Sequence, residues 1–366
     1  MTQIFSLRPN YGPAVADMLP EGVATPCFVI LEETMLQNLA ATAKACGGVH
    51  RLMPHVKTHR AEWIVRRLVQ EGVPAFKTAT VTEAATVLAA GARKLLWAYP
   101  TVNPAHIAAF LELARAYPGA ALCALIDSAQ GLSAWRAALE HSPPANLKLY
   151  VDLDPGMGRT GTPLDPSALV LARGARDLDA FGGWHVYDGH VQDRDIAVRR
   201  ERVAAIVQDV RQLMSAAVAE GLCTEVIAGA SYSFEFWPAD VAAYVAPGSW
   251  TYSSSQHDTD LPHLQWQPAA YVLATVISRH GGTATLDAGS KAISPDKPMA
   301  DRFRWNGRIV MMSEEHVVVE DNELAVGDRV MLMPRHACTT AYLYDRALVR
   351  TLEGGWESRP QLGNKR

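Results

Sequence analysis

The stretch HRLMPHVKTHRAEWIVRRLVQEGVPAFKTA, residues 50–79, sets out one complete unit of the fold. An apolar run near 50–56 ends at Lys57, which has His55, His59 and Arg60 as neighbours. Ala61, Ile64, Val65, Leu68 and Val69 then share one face of a helix that Gly72 and Pro74 stop, and a second short run follows at 75–79. Strand, helix and strand in that order form the repeat of a parallel sheet, whose buried strands are apolar on both faces.

The alternation continues outward from there. Further strands are expected near 94–99, 121–127, 147–153, 180–187, 223–229 and 243–249. The longest helix is expected from Val203 through Ile206, Val207, Val210, Leu213, Met214 and Ala217, stopping at Gly221. Eight strands interleaved with helices suit a closed (β/α)8 barrel better than an open sheet, which has polar edges to protect. After about residue 266 the texture changes to β-branched runs broken by Gly and Asn, at 271–278, 283–287, 308–312, 316–320, 329–333 and 342–350. The expected organisation is a barrel at 26–265 and a β domain at 266–366, the latter joined by residues 1–25.

With 49% hydrophobic residues, 20% charged residues and a formal net charge of −4, the 366-residue chain falls in the ordinary soluble range. It has no basic block to attract nucleic acid or a membrane surface, so a small-molecule substrate is favoured. Cys27, Cys46, Cys123, Cys223 and Cys338 are scattered singly, which argues against a disulfide framework and fits a reducing cytoplasm. The N-terminus lacks a basic stretch followed by an apolar core, and no run of about 18 apolar residues occurs, so neither export nor a membrane span is expected.

Loops that follow the strands of a barrel build its active site. At the first exit Lys57 could act as an amine nucleophile, since cationic or desolvating neighbours free a neutral amine. At the last two exits Gly229-Ala230-Ser231 and Gly248-Ser249 could cradle a phosphate with backbone N–H groups and small hydroxyls. An amine on the first strand and a phosphate cup on the last two are what an anchored pyridoxal phosphate requires. In the β domain, His336 and Cys338 flank Ala337; in an extended segment residues two apart face the same way, so both could bind one ion, and imidazole with thiolate suits zinc. Each feature taken alone also fits a bland role: Lys57 as a solvated loop residue, the glycines as plain turns, Cys338 as a buried thiol beside a capping histidine.

Taken together and in order, the motifs resemble one family. Thr25-Pro26, Pro54-His55-Val56-Lys57-Thr58-His59, Gly158-Arg159-Thr160-Gly161, Tyr187-Asp188-Gly189-His190, Gly248-Ser249, Leu286-Asp287-Ala288-Gly289-Ser290-Lys291 and His336-x-Cys338 are similar to those of the D-threonine aldolase and D-serine dehydratase group. These are pyridoxal-phosphate enzymes of the alanine-racemase fold, fold type III, and the match covers almost the whole chain. The resemblance implies that Lys57 carries the cofactor, that Arg159 lies near its phenolic oxygen and Tyr187 near its ring, and that Gly229, Ser231, Gly248 and Ser249 lie near its phosphate. It implies a divalent metal, zinc, manganese or magnesium, on His336 and Cys338, and a homodimer.

The activity so implied is a metal-assisted lyase reaction on a D-β-hydroxy-α-amino acid. The cofactor stabilises negative charge at Cα while the metal binds the β-hydroxyl. The expected reaction is that of D-threonine aldolase, a retro-aldol cleavage to glycine and an aldehyde, with His59 and His190 as candidates for proton transfer. The alternative is a D-serine or D-3-hydroxyaspartate dehydratase, for which His-x-Cys is typical. More distant alternatives are an amino-acid racemase and a non-catalytic pyridoxal-phosphate carrier.

Overall fold

The computed structural model describes residues 19, 20, 22–139 and 144–366, which fall into two compact units. One holds residues 42–57 and 62–248; the other holds the described residues up to Ala41, then Thr58–Ala61 and Ser249–Lys365.

The first unit is a curled parallel sheet of Phe76–Thr78, Lys94–Trp97, Ala121–Ile126, Leu147–Asp154, Phe181–Val186, Val226–Ala228 and Tyr244–Val245, in that order. Thr162–Pro163 adds a short strand beside Leu147–Asp154. Its two edges meet through residues 52–55, where Leu52 bridges Val245 and His55 bridges Lys77. The Met53 N–H donates to Val245 O (2.9 Å) and the Lys77 N–H to Pro54 O (3.0 Å). The strand expected at 50–56 is therefore a single-bridge stave between two 3-10 turns, Val49–Arg51 and Val56–Thr58. Pro54 gives the reason, since it has no N–H for a ladder. Met53, Ala75, Leu96, Ala98, Cys123, Leu125, Tyr150, Ile227 and Ala246 fill the interior.

Helices alternate with these strands as expected. Thr80 caps Val81–Ala89 by accepting from the Glu83 N–H (3.1 Å), while the Glu83 carboxylate accepts from the Ala79 N–H (2.6 Å). The longest described helix, Ile196–Ala219, is capped by Asp195 and begins before the expected stripe, because its first turns carry mainly charged residues.

The second unit is a mostly antiparallel sheet with the order Ile309–Met312, Val317–Glu320, Thr283–Leu286, Ala270–His280, Cys27–Leu31, Arg346–Arg350 and Trp356–Pro360; Arg329–Leu332 also pairs with Ala270–His280. Cys27–Leu31, expected to open the barrel, lies instead at the centre of this sheet, antiparallel to Ala270–His280 and parallel to Arg346–Arg350. Its core is Val29, Leu31, Tyr271, Leu273 and Met331. A second correction concerns the segment of His336 and Cys338. Ala337–Ala341 is a short helix with His336 at its N-cap, and the strand expected from 342 begins at Arg346. Residues 1–18 and 21, most of the segment expected to join the β domain, lie outside the described residues. Among those described, no helix is long and apolar enough to cross a membrane.

Candidate functional site

In the parallel-sheet unit, Lys57 sits half-buried in the 3-10 turn that follows the closing stave. Its backbone N–H donates to His55 Nδ1 (3.3 Å). Its Nζ lies 6.0 Å from the centroid of the Tyr187 ring, against which two more cations rest. Arg159 Cζ is 4.6 Å from that centroid and Lys77 Nζ 5.0 Å. Arg159 is presented by a loop whose backbone is gathered on one carboxylate: Asp154 Oδ1 accepts from Gly156 (3.0 Å), Met157 (2.7 Å) and Gly158 (3.1 Å). The ring attracts each cation, but the cations repel one another, so the set is suited to an anionic guest.

Lys77 leads into a buried polar chain. Its Nζ is 2.7 Å from His185 Nε2, His185 Nδ1 is 2.6 Å from Asp152 Oδ1, and Asp152 Oδ2 accepts from Thr160 Oγ1 (2.9 Å). Burial, with the nearby cations Lys57 and Lys77, pushes the His55 imidazole well below its ordinary value, so it is neutral.

The expected phosphate cup is partly committed to internal bonds. Gly229 has φ +85°, and a Cβ there would come within 3.1 Å of Phe234 Cα. The Ala230 N–H donates to Ser233 Oγ (2.8 Å), which donates to Asp188 Oδ1 (2.6 Å); Trp237 Nε1 donates to Asp188 Oδ2 (2.8 Å). Burial raises the pKa of Asp188 despite these donors. Half-buried Ser231 and buried Gly248 belong to this unit, whereas Ser249 opens the turn Ser249–Thr251 in the other. Tyr232, Phe234 and Trp237 are buried, so this aromatic loop serves packing. Half-buried His190 has an Nδ1 with no hydrogen-bond partner among the described residues.

In the other unit His336 and Cys338 are within hydrogen-bonding reach of each other. His336 Nδ1 also pairs with Asp296 Oδ2, and Thr339 Oγ1 donates to Asp296 Oδ1 (3.2 Å). Burial opposes a charged His336, but Cys338 and Asp296 outweigh it and hold the imidazolium up to about 9. The Cys338 thiol points to Thr58 Oγ1 (3.4 Å), and the fully buried Tyr252 hydroxyl has no hydrogen-bond partner among the described residues. His257, its Nδ1 2.9 Å from Ser254 Oγ, is pushed down to about 4 by burial and then by His336. His59 is buried and its Nδ1 accepts from the Ala61 N–H (3.2 Å); burial pushes its pKa to about 3.

The family model for the alanine racemase N-terminal domain matches residues 30–256, and that for a putative serine dehydratase domain matches residues 269–350. A D-threonine aldolase of Arthrobacter sp is 30% identical over 358 residues, covering 92% of each chain. The chain belongs to the D-threonine aldolase and D-serine dehydratase family. A 3-hydroxy-D-aspartate aldolase of Paracoccus denitrificans (strain Pd 1222) is 26% identical, covering 91% of this chain and 90% of its own. The solved D-threonine aldolase of Filomicrobium marinum shares the fold at a TM-score of 0.82 and 24% identity, covering 92% of this chain and 95% of that one. The D-threo-3-hydroxyaspartate dehydratase of Delftia sp. HT23 does so at 0.81 and 22%, covering 93% and 98%. The chain is thus a pyridoxal-phosphate lyase with the alanine-racemase fold.

The residues present fit the family's cofactor, whose phosphate and phenol are anionic: Lys57, Lys77 and Arg159 share one aromatic ring. They also fit a divalent ion, since Asp296 occupies Nδ1 of His336 and leaves Nε2 to pair with Cys338 as a donor, the usual carboxylate–imidazole arrangement behind a metal. Among the described residues no group of three or more His, Cys, Asp and Glu could hold an ion. Lys77 falls in the short run expected at 75–79 without a role assigned to it, and neither Asp152 nor Asp296 was singled out from the sequence. Lys77 and His185 carried a signal in their positions on barrel strands; Asp296, in an irregular loop, carried none.

Proposed function

We propose that this chain is a metal-assisted lyase of D-β-hydroxy-α-amino acids and acts as a D-threonine aldolase, yielding glycine and an aldehyde. The observation that carries this reading is the gathering of Lys57, Lys77 and Arg159 on the Tyr187 ring, a site for an anionic ring cofactor next to a lysine amine. Both curated relatives, each aligned over about nine-tenths of this chain, are aldolases.

In this proposal Lys57 carries pyridoxal phosphate, Arg159 and Tyr187 orient it, and Gly229, Ser231, Gly248 and Ser249 lie at its phosphate. His336 and Cys338 hold the metal. The bound cofactor supplies an electron sink for the substrate's Cα, and the metal polarises the β-hydroxyl. Asp296 fixes the tautomer of His336 by holding Nδ1. Of the two histidines proposed for proton transfer, His190 has an open ring nitrogen, whereas Nδ1 of His59 is committed to Ala61 and its ring stays neutral.

The donor pair supports a second reading. A thiolate beside an imidazole suits zinc, and residues 269–350 match a putative serine dehydratase domain, which favours loss of the β-hydroxyl. The test is a product assay with D-threonine and D-serine supplied separately, with and without chelator. Glycine and acetaldehyde from D-threonine are expected; pyruvate and ammonia from D-serine with no glycine from D-threonine would refute the aldolase reading. Borohydride is expected to fix the cofactor to Lys57, and label recovered on Lys77 or Lys291 would overturn that assignment.

A further inference from the structure

Lys77 stands on Phe76–Thr78 with only 3% of its surface exposed. A buried ammonium is costly unless it is paired, yet the atom in contact with this one is an imidazole nitrogen, His185 Nε2 at 2.7 Å. The roles along the chain follow from donor chemistry. The ionised Asp152 carboxylate can only accept, so His185 Nδ1, 2.6 Å away, carries its hydrogen, and Nε2 is left with the lone pair that accepts from Lys77. His185 is neutral in this arrangement, pushed down to about 4 by burial and then by Lys77. Asp152 also accepts from Thr160, a half-buried residue in the loop that presents Arg159. One hydrogen of Lys77 is thus committed, while its Nζ rests against the ring that Lys57 also approaches.

The charged and titratable groups facing Lys77 come from every element around it. Lys57 on the closing turn and Arg159 on the glycine loop oppose its proton; Asp152 on Leu147–Asp154 and Asp188 beyond Phe181–Val186 favour it, and His55 is neutral. Burial is the largest influence, followed by Lys57, and together they bring the amine down to about 7.

We propose that Lys77 is a further proton carrier of this lyase, besides His190, and that His185 and Asp152 are positioning residues that hold its amine and balance its charge. The proposal rests on the lyase reading above. For each substrate cleaved, one proton leaves the β-hydroxyl oxygen as the Cα–Cβ bond breaks and one proton joins Cα. A carrier therefore accepts one proton on its Nζ lone pair, becoming an ammonium, and releases one, with none consumed overall.

Two measurements test this. In the cofactor-free full chain, 13Cε NMR of labelled lysine should show one resonance, that of Lys77, with a midpoint of about 7. That resonance should be absent in Lys77→Arg and move to lower pH in Asp152→Asn, which removes a charge that favours the ammonium. In the holoenzyme, kcat should rise with pH along a limb that moves down in Asp152→Asn. Lys77→Arg, which keeps the cation but not the carrier, should lose roughly a hundredfold or more in kcat with little change in KM. His185→Gln, which retains an acceptor for Lys77, should fall between that variant and the wild type. A Lys77 midpoint among those of the surface lysines, or Lys77→Arg with kcat within about twofold of wild type, would overturn the proposal. Borohydride attachment at Lys57 and the product assay on wild-type protein report separately on the lyase reading.

Discussion

His59 is 2% exposed and its Nδ1 accepts a backbone hydrogen bond from Ala61, so the folded protein holds it neutral. Burial puts its folded pKa at about 3, below the ordinary 6.5. Between those values the unfolded chain binds more protons than the folded one. The stability His59 contributes is therefore present above its unfolded pKa and is lost as pH falls from 6.5 towards 3. At about 1.36 kcal/mol per unit, the loss reaches about 2–3 kcal/mol near pH 4.5. The perturbation to make is His59→Gln, which cannot titrate. Urea unfolding of the wild type and the variant, followed by circular dichroism, should show their stability difference moving by about 2–3 kcal/mol in the variant's favour between about pH 7.5 and 4.5. Taking this difference cancels the acid response of His55, His185 and His257, which burial also depresses. A difference that stays constant across that range would refute the account of His59 as a dry, neutral imidazole.

Chelation is expected to stop turnover and leave the circular dichroism unchanged, because a site with two protein donors keeps positions open for substrate, whereas structural zinc is closed by four; parallel loss of fold and activity would make the site structural. Cys338→Asp should keep glycine production while shifting metal preference towards manganese or magnesium, as measured by reconstitution with each ion. Gly161 has φ +105°, and a Cβ there would lie 2.6 Å from Asp154 N and 2.8 Å from Leu153 C. Gly161→Ala should cost about 2–5 kcal/mol and lower activity by shifting the loop of Arg159, and an unchanged melting temperature would contradict that.

Much of the architecture was legible because burial writes a local pattern. Ala61, Ile64, Val65 and Leu68 are all fully buried, as their helical spacing predicts, and the strands at 121–127 and 147–153 fall within a residue or so of those observed. The placement of Lys57 and Arg159 after barrel strands was legible for a related reason: a strand exit is a position in the chain before it is a position in space. The pairing of His336 with Cys338 was expected from an extended segment, yet the residues start a short helix, so their approach has a different geometric cause.

The sequence by itself determined the alternation of strand and helix, the change of texture after the barrel, and the motifs that mark the family, since each depends on residues a few places apart. Tertiary structure alone decided that Cys27–Leu31 joins the antiparallel sheet, that residues 52–55 close the parallel one by single bridges, and that Lys77, His185 and Asp152 form one chain. The physical reason is one of range. Periodicity records which face of an element is buried, whereas strand partners and side chains 33 or 108 positions apart are chosen by the packing of the whole unit, and no local pattern encodes that choice.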